Sequence, residues 1–177
     1  MLDKVIVAGF GGQGIISLGK IMAYLAMKDN KNVTHFPSYG AEMRGGTANC
    51  SVILSDEVIF SPIFTHPTTL IVMNNPSQIK FTPMLAKNGL LILDSTHVKI
   101  STKRDDIRIV SAPATEEANK LGNVKTANII LLGIYVKSTN FFNKKFAEDS
   151  IKNYFGNKKK SVIDMNLGAF EIGYNLV

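Results

Sequence analysis

Two glycine-rich stretches hold the residues best able to do chemistry. Near the start, Lys4-Val5-Ile6-Val7-Ala8 runs into Gly9-Phe10-Gly11-Gly12-Gln13-Gly14, and further on comes Pro37-Ser38-Tyr39-Gly40-Ala41-Glu42-Met43-Arg44-Gly45-Gly46. Gly9, Gly11 and Gly14 stand in the G-x-G-x-x-G register, where absent Cβ atoms allow positive φ and close approach by a backbone or a ligand. A helix starting directly behind them would aim free N–H groups and its dipole at a phosphate or carboxylate. In the second stretch, Arg44 beside Gly45-Gly46 offers a planar guanidinium fork next to bare backbone, which suits the same anions, and Tyr39 adds a phenol. A Glu42–Arg44 ion pair tying down a connecting loop accounts for those residues without a ligand.

The elements around these stretches alternate between strand and helix. Residues 5–8 form an apolar strand, and Ile15, Ile16, Leu18, Ile21, Met22 and Leu25 recur at helical spacing behind the turn. A second strand over residues 33–36 would complete a right-handed βαβ unit. Residues 47–54 alternate as a strand, with 58–60 as the second arm of a hairpin. Continuous apolar runs at 70–73 and 90–93 read as buried strands, the first as a parallel one, and 107–110 gives the next strand. A helix begins near Pro76 and stops at Gly89, and Asn74 and Ser77 at its start serve either as caps or as ligand contacts. Helices follow at 114–121, 126–136, 144–154 and 158–174. The pattern predicts a three-layer α/β/α, Rossmann-like fold with a mostly parallel sheet and an antiparallel hairpin, as one domain over residues 1–177.

A dinucleotide site needs one further group, an Asp or Glu roughly 20 residues on, at the tip of the second strand. Here that strand ends in Pro37-Ser38-Tyr39, and the nearest upstream acid, Asp29, precedes it. The first glycine turn therefore reads as an NAD or FAD site without its ribose anchor, as a close-packing device, or as a site for another anion or cofactor. His35 alternates with apolar neighbours and reads as a satisfied or surface histidine; Cys50, on the inward face of its strand, reads as a small buried hydrophobe.

Composition narrows the function. Hydrophobic residues make up 45% of the 177 and mean hydropathy is +0.10, so a partner is expected to cover some apolar surface. No apolar run reaches the length of a membrane span and no signal segment stands at the start, so a cytoplasmic protein is expected. One cysteine excludes an internal disulfide, and no C-x-x-C is present for zinc or an iron–sulfur cluster. The net charge of +6 is gathered largely in lysine runs near the C-terminus without a nucleic-acid-binding motif, and fits an anionic ligand or an acidic protein partner.

Gly9-Phe10-Gly11-Gly12-Gln13-Gly14, the stretch from Ser38 to Gly46, Asn74 with Pro76-Ser77, and Leu121-Gly122-Asn123 with Asn128 occur together and in order. On these motifs the chain resembles the gamma subunits of 2-oxoacid:ferredoxin (acceptor) oxidoreductases, counterparts of domain III of the single-chain pyruvate:ferredoxin enzyme. The resemblance implies a subunit that is inactive alone, within a complex that oxidatively decarboxylates a 2-oxoacid, 2-oxoglutarate as the first choice, to an acyl-CoA and reduces ferredoxin or a similar acceptor. It implies thiamine diphosphate and Mg²⁺ on alpha and beta subunits, iron–sulfur clusters on beta or a delta subunit, and a part for this chain in binding coenzyme A. Gly9, Gly11, Gly12, Gln13, Gly14, Tyr39, Arg44, Gly45, Gly46, Asn74 and Ser77 are the candidate contacts, with no catalytic residue and no metal ligand of its own. A freestanding NAD-dependent oxidoreductase and a pure scaffold subunit remain the alternatives.

Overall fold

The side chains of β1 (Leu2–Phe10) alternate between two cores. Val5 and Val7 enter the larger one, while Ile6 and Ala8 enter the smaller one on the opposite face. That double burial is what a strand at the centre of an α/β sheet requires. The computed structural model describes residues 1–38 and 47–177 and arranges six strands in the order β2-β3-β1-β4-β5-β6. These are β2 (Asn32–Ser38), β3 (Thr47–Ser55), β4 (Thr69–Val72), β5 (Leu90–Asp94) and β6 (Arg108–Ala112) around β1. β1, β4, β5 and β6 pair in parallel, whereas β3 is antiparallel to both β1 and β2.

The larger core lies beneath α1 (Ile15–Lys28), α4 (Ala127–Thr139), α5 (Lys144–Tyr154) and α6 (Lys160–Asn175), with α3 (Ala114–Lys120) at one end. Helix α4 is buried on every side from Ala127 to Val136, as an apolar helix wedged between a sheet and another helix must be. Across the sheet, Phe81 of α2 (Asn75–Phe81) and Leu85 beyond a 3₁₀ turn cover Leu70, Val72, Leu91 and Leu93. The third layer is therefore thinner than the first.

The expected fold class holds, and particular elements differ. The antiparallel hairpin joins β2 to β3, and residues 58–60 form no strand, because both edges of β3 are already hydrogen-bonded to β1 and β2. For the same reason β1 and β2 are not neighbours: β3 lies between them. Helix α2 ends at Phe81 rather than running to Gly89: Pro83 has no N–H to continue the α-helical bonding, and the chain tightens into a 3₁₀ turn over Thr82–Met84.

Candidate functional site

After β1 the chain turns towards β2 and β3, and after β4 it turns towards β5 and β6. Strand order thus reverses between β1 and β4, and the carboxyl ends of these two strands define the crevice where open α/β sheets hold ligands. The two loops leaving those ends are the glycine turn and the Asn74–Ser77 stretch.

Gln13 joins them. Its Oε1 accepts from Phe10 N at 2.6 Å and its Nε2 donates to Met73 O at 3.0 Å, so one amide spans the gap between the strand tips. Gly9 is needed for this approach, since a Cβ there would stand 2.7 Å from both Gln13 Oε1 and Ile15 Cδ1. Gly11 and Gly12 stay exposed at the apex. Gly14 is the N-cap of α1 with φ 78°, a left-handed conformation that favours glycine, and no side chain caps the helix. The first turn of α1 also contains no acid, so its N–H groups carry an uncompensated positive dipole end.

At the other loop, Asn74 Oδ1 accepts from Ser77 N at 2.8 Å and caps α2, as one of the two expectations held. Asn74 Nδ2 and Ser77 Oγ are both buried and lack a hydrogen-bond partner among the described residues. Unpaired buried donors are costly, so two at a strand tip mark a place where an added group would gain hydrogen bonds. Gly9, Gly11, Gly12, Gln13, Gly14, Asn74 and Ser77 therefore gather at one crevice. Tyr39, Arg44, Gly45 and Gly46 lie outside the described residues. Their anchors do not: the chain leaves β2 at Ser38 and re-enters at Thr47, which pairs with Phe10 beside the glycine turn.

Two contributions stand outside the candidate contacts named from sequence. Asn128, the second residue of an otherwise apolar helix, donates from Nδ2 to Gly14 O at 3.1 Å. Next to it a cavity of about 490 Å³ is lined by Ser17, Asn123, Lys125, Asn128, Lys158 and Asn166 among others. Its lysines give a positive wall within reach of the first turn of α1. Asn128 was quoted in a motif and Lys158 in a basic run, but neither spacing nor composition placed them beside the first turn of α1, and Lys125 carried no signal at all.

Among the described residues no group of three or more His, Cys, Asp or Glu could hold a metal ion. Cys50 is fully buried against α1, where its thiol donates to Ile15 O at 3.5 Å, and burial pushes its pKa up to about 12. His35 is half-buried rather than satisfied: Nε2 has no partner, and burial followed by nearby Lys20 lowers its pKa. No helix among the described residues is long and apolar enough to cross a membrane.

Similar proteins occur in two formats. The ketoisovalerate oxidoreductase subunit VorA of Methanothermobacter thermautotrophicus is 37% identical over 172 residues, which cover 96% of this chain and 35% of the relative. The chain thus spans about a third of the length of that protein. The 2-oxoglutarate synthase subunit KorC of Methanothermobacter marburgensis is 31% identical over 186 residues, covering 100% of this chain and 97% of that one. The same fold occurs in the structure of 2-oxoglutarate:ferredoxin oxidoreductase from Magnetococcus marinus with 2-oxoglutarate, coenzyme A and succinyl-CoA bound. That match has a TM-score of 0.89 at 22% identity and covers 99% of this chain and 31% of that chain. With the sequence pattern of the family matched over residues 4–176, the chain belongs to the pyruvate ferredoxin/flavodoxin oxidoreductase family.

Proposed function

We propose that the chain serves, as one domain, as the gamma subunit of a cytoplasmic 2-oxoacid:acceptor oxidoreductase and lends that complex a surface for coenzyme A. The whole enzyme would convert a 2-oxoacid and CoA to an acyl-CoA and CO₂, passing the electrons to ferredoxin or a similar acceptor. Thiamine diphosphate, Mg²⁺ and iron–sulfur clusters belong, in this reading, to alpha, beta and delta partners. The observation that carries it is the pair of unpartnered polar groups, Asn74 Nδ2 and Ser77 Oγ, beside the uncapped start of α1 at the β1/β4 crevice. These fit CoA, whose phosphates seek N–H donors and whose pantetheine amides seek single polar partners.

Each residue then has a role. The N–H groups following Gly14 and the guanidinium of Arg44 would meet anionic oxygens, Asn74 and Ser77 would meet amide groups, and Gln13 would keep the two strand tips at a fixed spacing. Lys125 and Lys158 offer further positive charge on the flank of α1. Among oxoacids, 2-oxoglutarate is preferred because a 2-oxoglutarate synthase subunit matches this chain from end to end. The NAD alternative is disfavoured by topology, since β3 occupies the place beside β1 from which a ribose-binding acid would reach the crevice.

The test is purification of the tagged chain from its own cell, followed by assay of dye reduction dependent on oxoacid and CoA. Activity in a multi-subunit preparation, with an Arg44→Glu complex that assembles but shows a raised KM for CoA, is the expected result. Purification of the chain alone with bound NAD would overturn the subunit reading, and unchanged CoA kinetics in the intact variant would remove Arg44 from the site.

A further inference from the structure

Far from the crevice, at the opposite end of the sheet, a second surface stands open. The helix packed on β2 and β3 is α1, which covers the face bearing Val33, Cys50, Val52 and Leu54. On the reverse face the register sets Phe36 beside Ser51, Thr34 beside Ile53 and Lys4, and Ser55 beside Leu2. Phe36 and Leu2 there are exposed. The chain leaving β3 overhangs this face, and its apolar side chains point outward: Val58 is 65% exposed, Ile63 73% and Phe60 96%. Together with Met1, Leu2, Lys4 and Ile53 they line a concavity of about 450 Å³.

Single exposed apolar residues are ordinary, whereas several around one hollow are the mark of an interface, and a protruding phenylalanine is a common anchor at such a surface. The segment is also held in place. Asp56 N donates to Met1 O at 3.0 Å, Glu57 N to Ser55 Oγ at 2.9 Å and Thr68 N to Lys4 O at 2.8 Å, so both of its ends are fastened to β1 and β3.

We propose that this face, centred on Phe60, docks a non-identical polypeptide of the same oxidoreductase complex, one presenting an apolar pocket for the phenyl ring. Two observations choose this occupant over a second copy. The domain occurs both within longer chains, as 35% or 31% of their length, and as nearly the whole of a separate chain. A surface that meets the rest of the chain in the first format becomes an intersubunit surface in the second. A second copy would also bring its own net charge of +6, a repulsive arrangement, whereas the charges lining the hollow are balanced locally: Lys4 and Glu57 are of opposite sign, and the Met1 ammonium pairs with Asp56.

The inference rests on the subunit reading, and the experiment separates the two. A photo-reactive phenylalanine analogue is placed at position 60 in the tagged chain expressed in its own cell, and the purified complex is irradiated. A covalent product with a different subunit of that complex is expected. In parallel, Phe60→Asp with Ile63→Asp should lower recovery of the other subunits by tenfold or more, while the isolated variant melts with the unaltered chain, since neither side chain is buried. Cross-linking to a second copy, or full recovery of the complex with the double variant, would overturn the docking face and leave the subunit reading standing. Purification of the unsubstituted chain alone would overturn both.

Discussion

Asn128 Nδ2 donates to the Gly14 carbonyl across 3.1 Å, joining α4 to the turn behind β1 although the two residues are 114 apart in sequence. The Gly14 carbonyl also accepts from Leu18 N at 2.9 Å, so Asn128 fixes the direction of a turn that α1 alone would leave free to tilt. Replacing Asn128 by Ala should cost about 1 kcal/mol of stability, the net worth of one such bond. In the reconstituted complex the KM for CoA should rise roughly fivefold, the equivalent of that energy, with kcat little changed. Steady-state kinetics beside a thermal melt would separate this positioning role from a purely structural one, which would move the melt alone.

Gly133 of α4 and Gly173 of α6 let two helix backbones touch. A Cβ on Gly173 would stand 1.9 Å from Ile130 O, and one on Gly133 would stand 2.3 Å from Phe170 O. Backbone cannot yield as a flexible side chain can, so Gly173→Ala must drive the helices apart and should cost about 3 kcal/mol or more. Gly168→Ala, on the same helix, would meet nothing nearer than Leu121 Cδ1 at 4.0 Å. It should be neutral or stabilising by about 1 kcal/mol through helix propensity. Urea denaturation of both variants distinguishes close packing from a general intolerance of substitution in α6.

The Tyr135 hydroxyl donates to Asp3 Oδ2 at 2.7 Å in the buried base of the sheet, where Thr68 and Thr69 hydroxyls also reach the carboxylate. Tyr135→Phe should lose about 1.5–3 kcal/mol, as expected when a buried charged acceptor loses a donor. Burial, and then the Asp3 carboxylate, raises the phenol pKa well above 10. The folded chain therefore keeps a proton that the unfolded chain releases above about pH 10, and the wild-type chain should lose stability there faster than the Phe variant. Denaturation midpoints of the two proteins between pH 8 and pH 11 test the sign.

Much of this was legible because the signals were local. The boundaries of α5 follow from Asn143 as N-cap and from an amphipathic run, and the buried strands announce themselves as continuous apolar stretches. Sheet order was not local: nothing in residues 47–54 says that both edges will be taken by β1 and β2, which is why 58–60 looked like a partner strand. The crevice was legible as two loops and not as one site, because its closure depends on the β1/β4 neighbourhood, on Gln13 bridging to Met73, and on Asn128 arriving from a distant helix. Phe60 gave the opposite lesson, since it was read as part of a hairpin strand and instead stands in solvent outside the sheet.

Cys50 tests how tightly α1 seals the sheet. Its sulfur fills the space that a Cβ on Gly19 would take, 2.5 Å from that position, and its pKa of about 12 compares with 9.0 for an ordinary thiol. At pH 8 the folded protein should hold only about one thiolate in ten thousand, so a disulfide exchange reagent should fail to label it until denaturant is added. The linkage has a definite direction. The raised pKa means that its contribution is intact below pH 9 and is lost as the unfolded thiol ionises, at up to about 1.4 kcal/mol per pH unit until the folded thiol titrates too. A Cys50→Ala chain will be less stable at pH 7 because of its cavity, yet its stability should fall less steeply between pH 9 and pH 11. Fast labelling of the native thiol, or parallel stability curves for the two chains, would show that the face between α1 and β3 admits water.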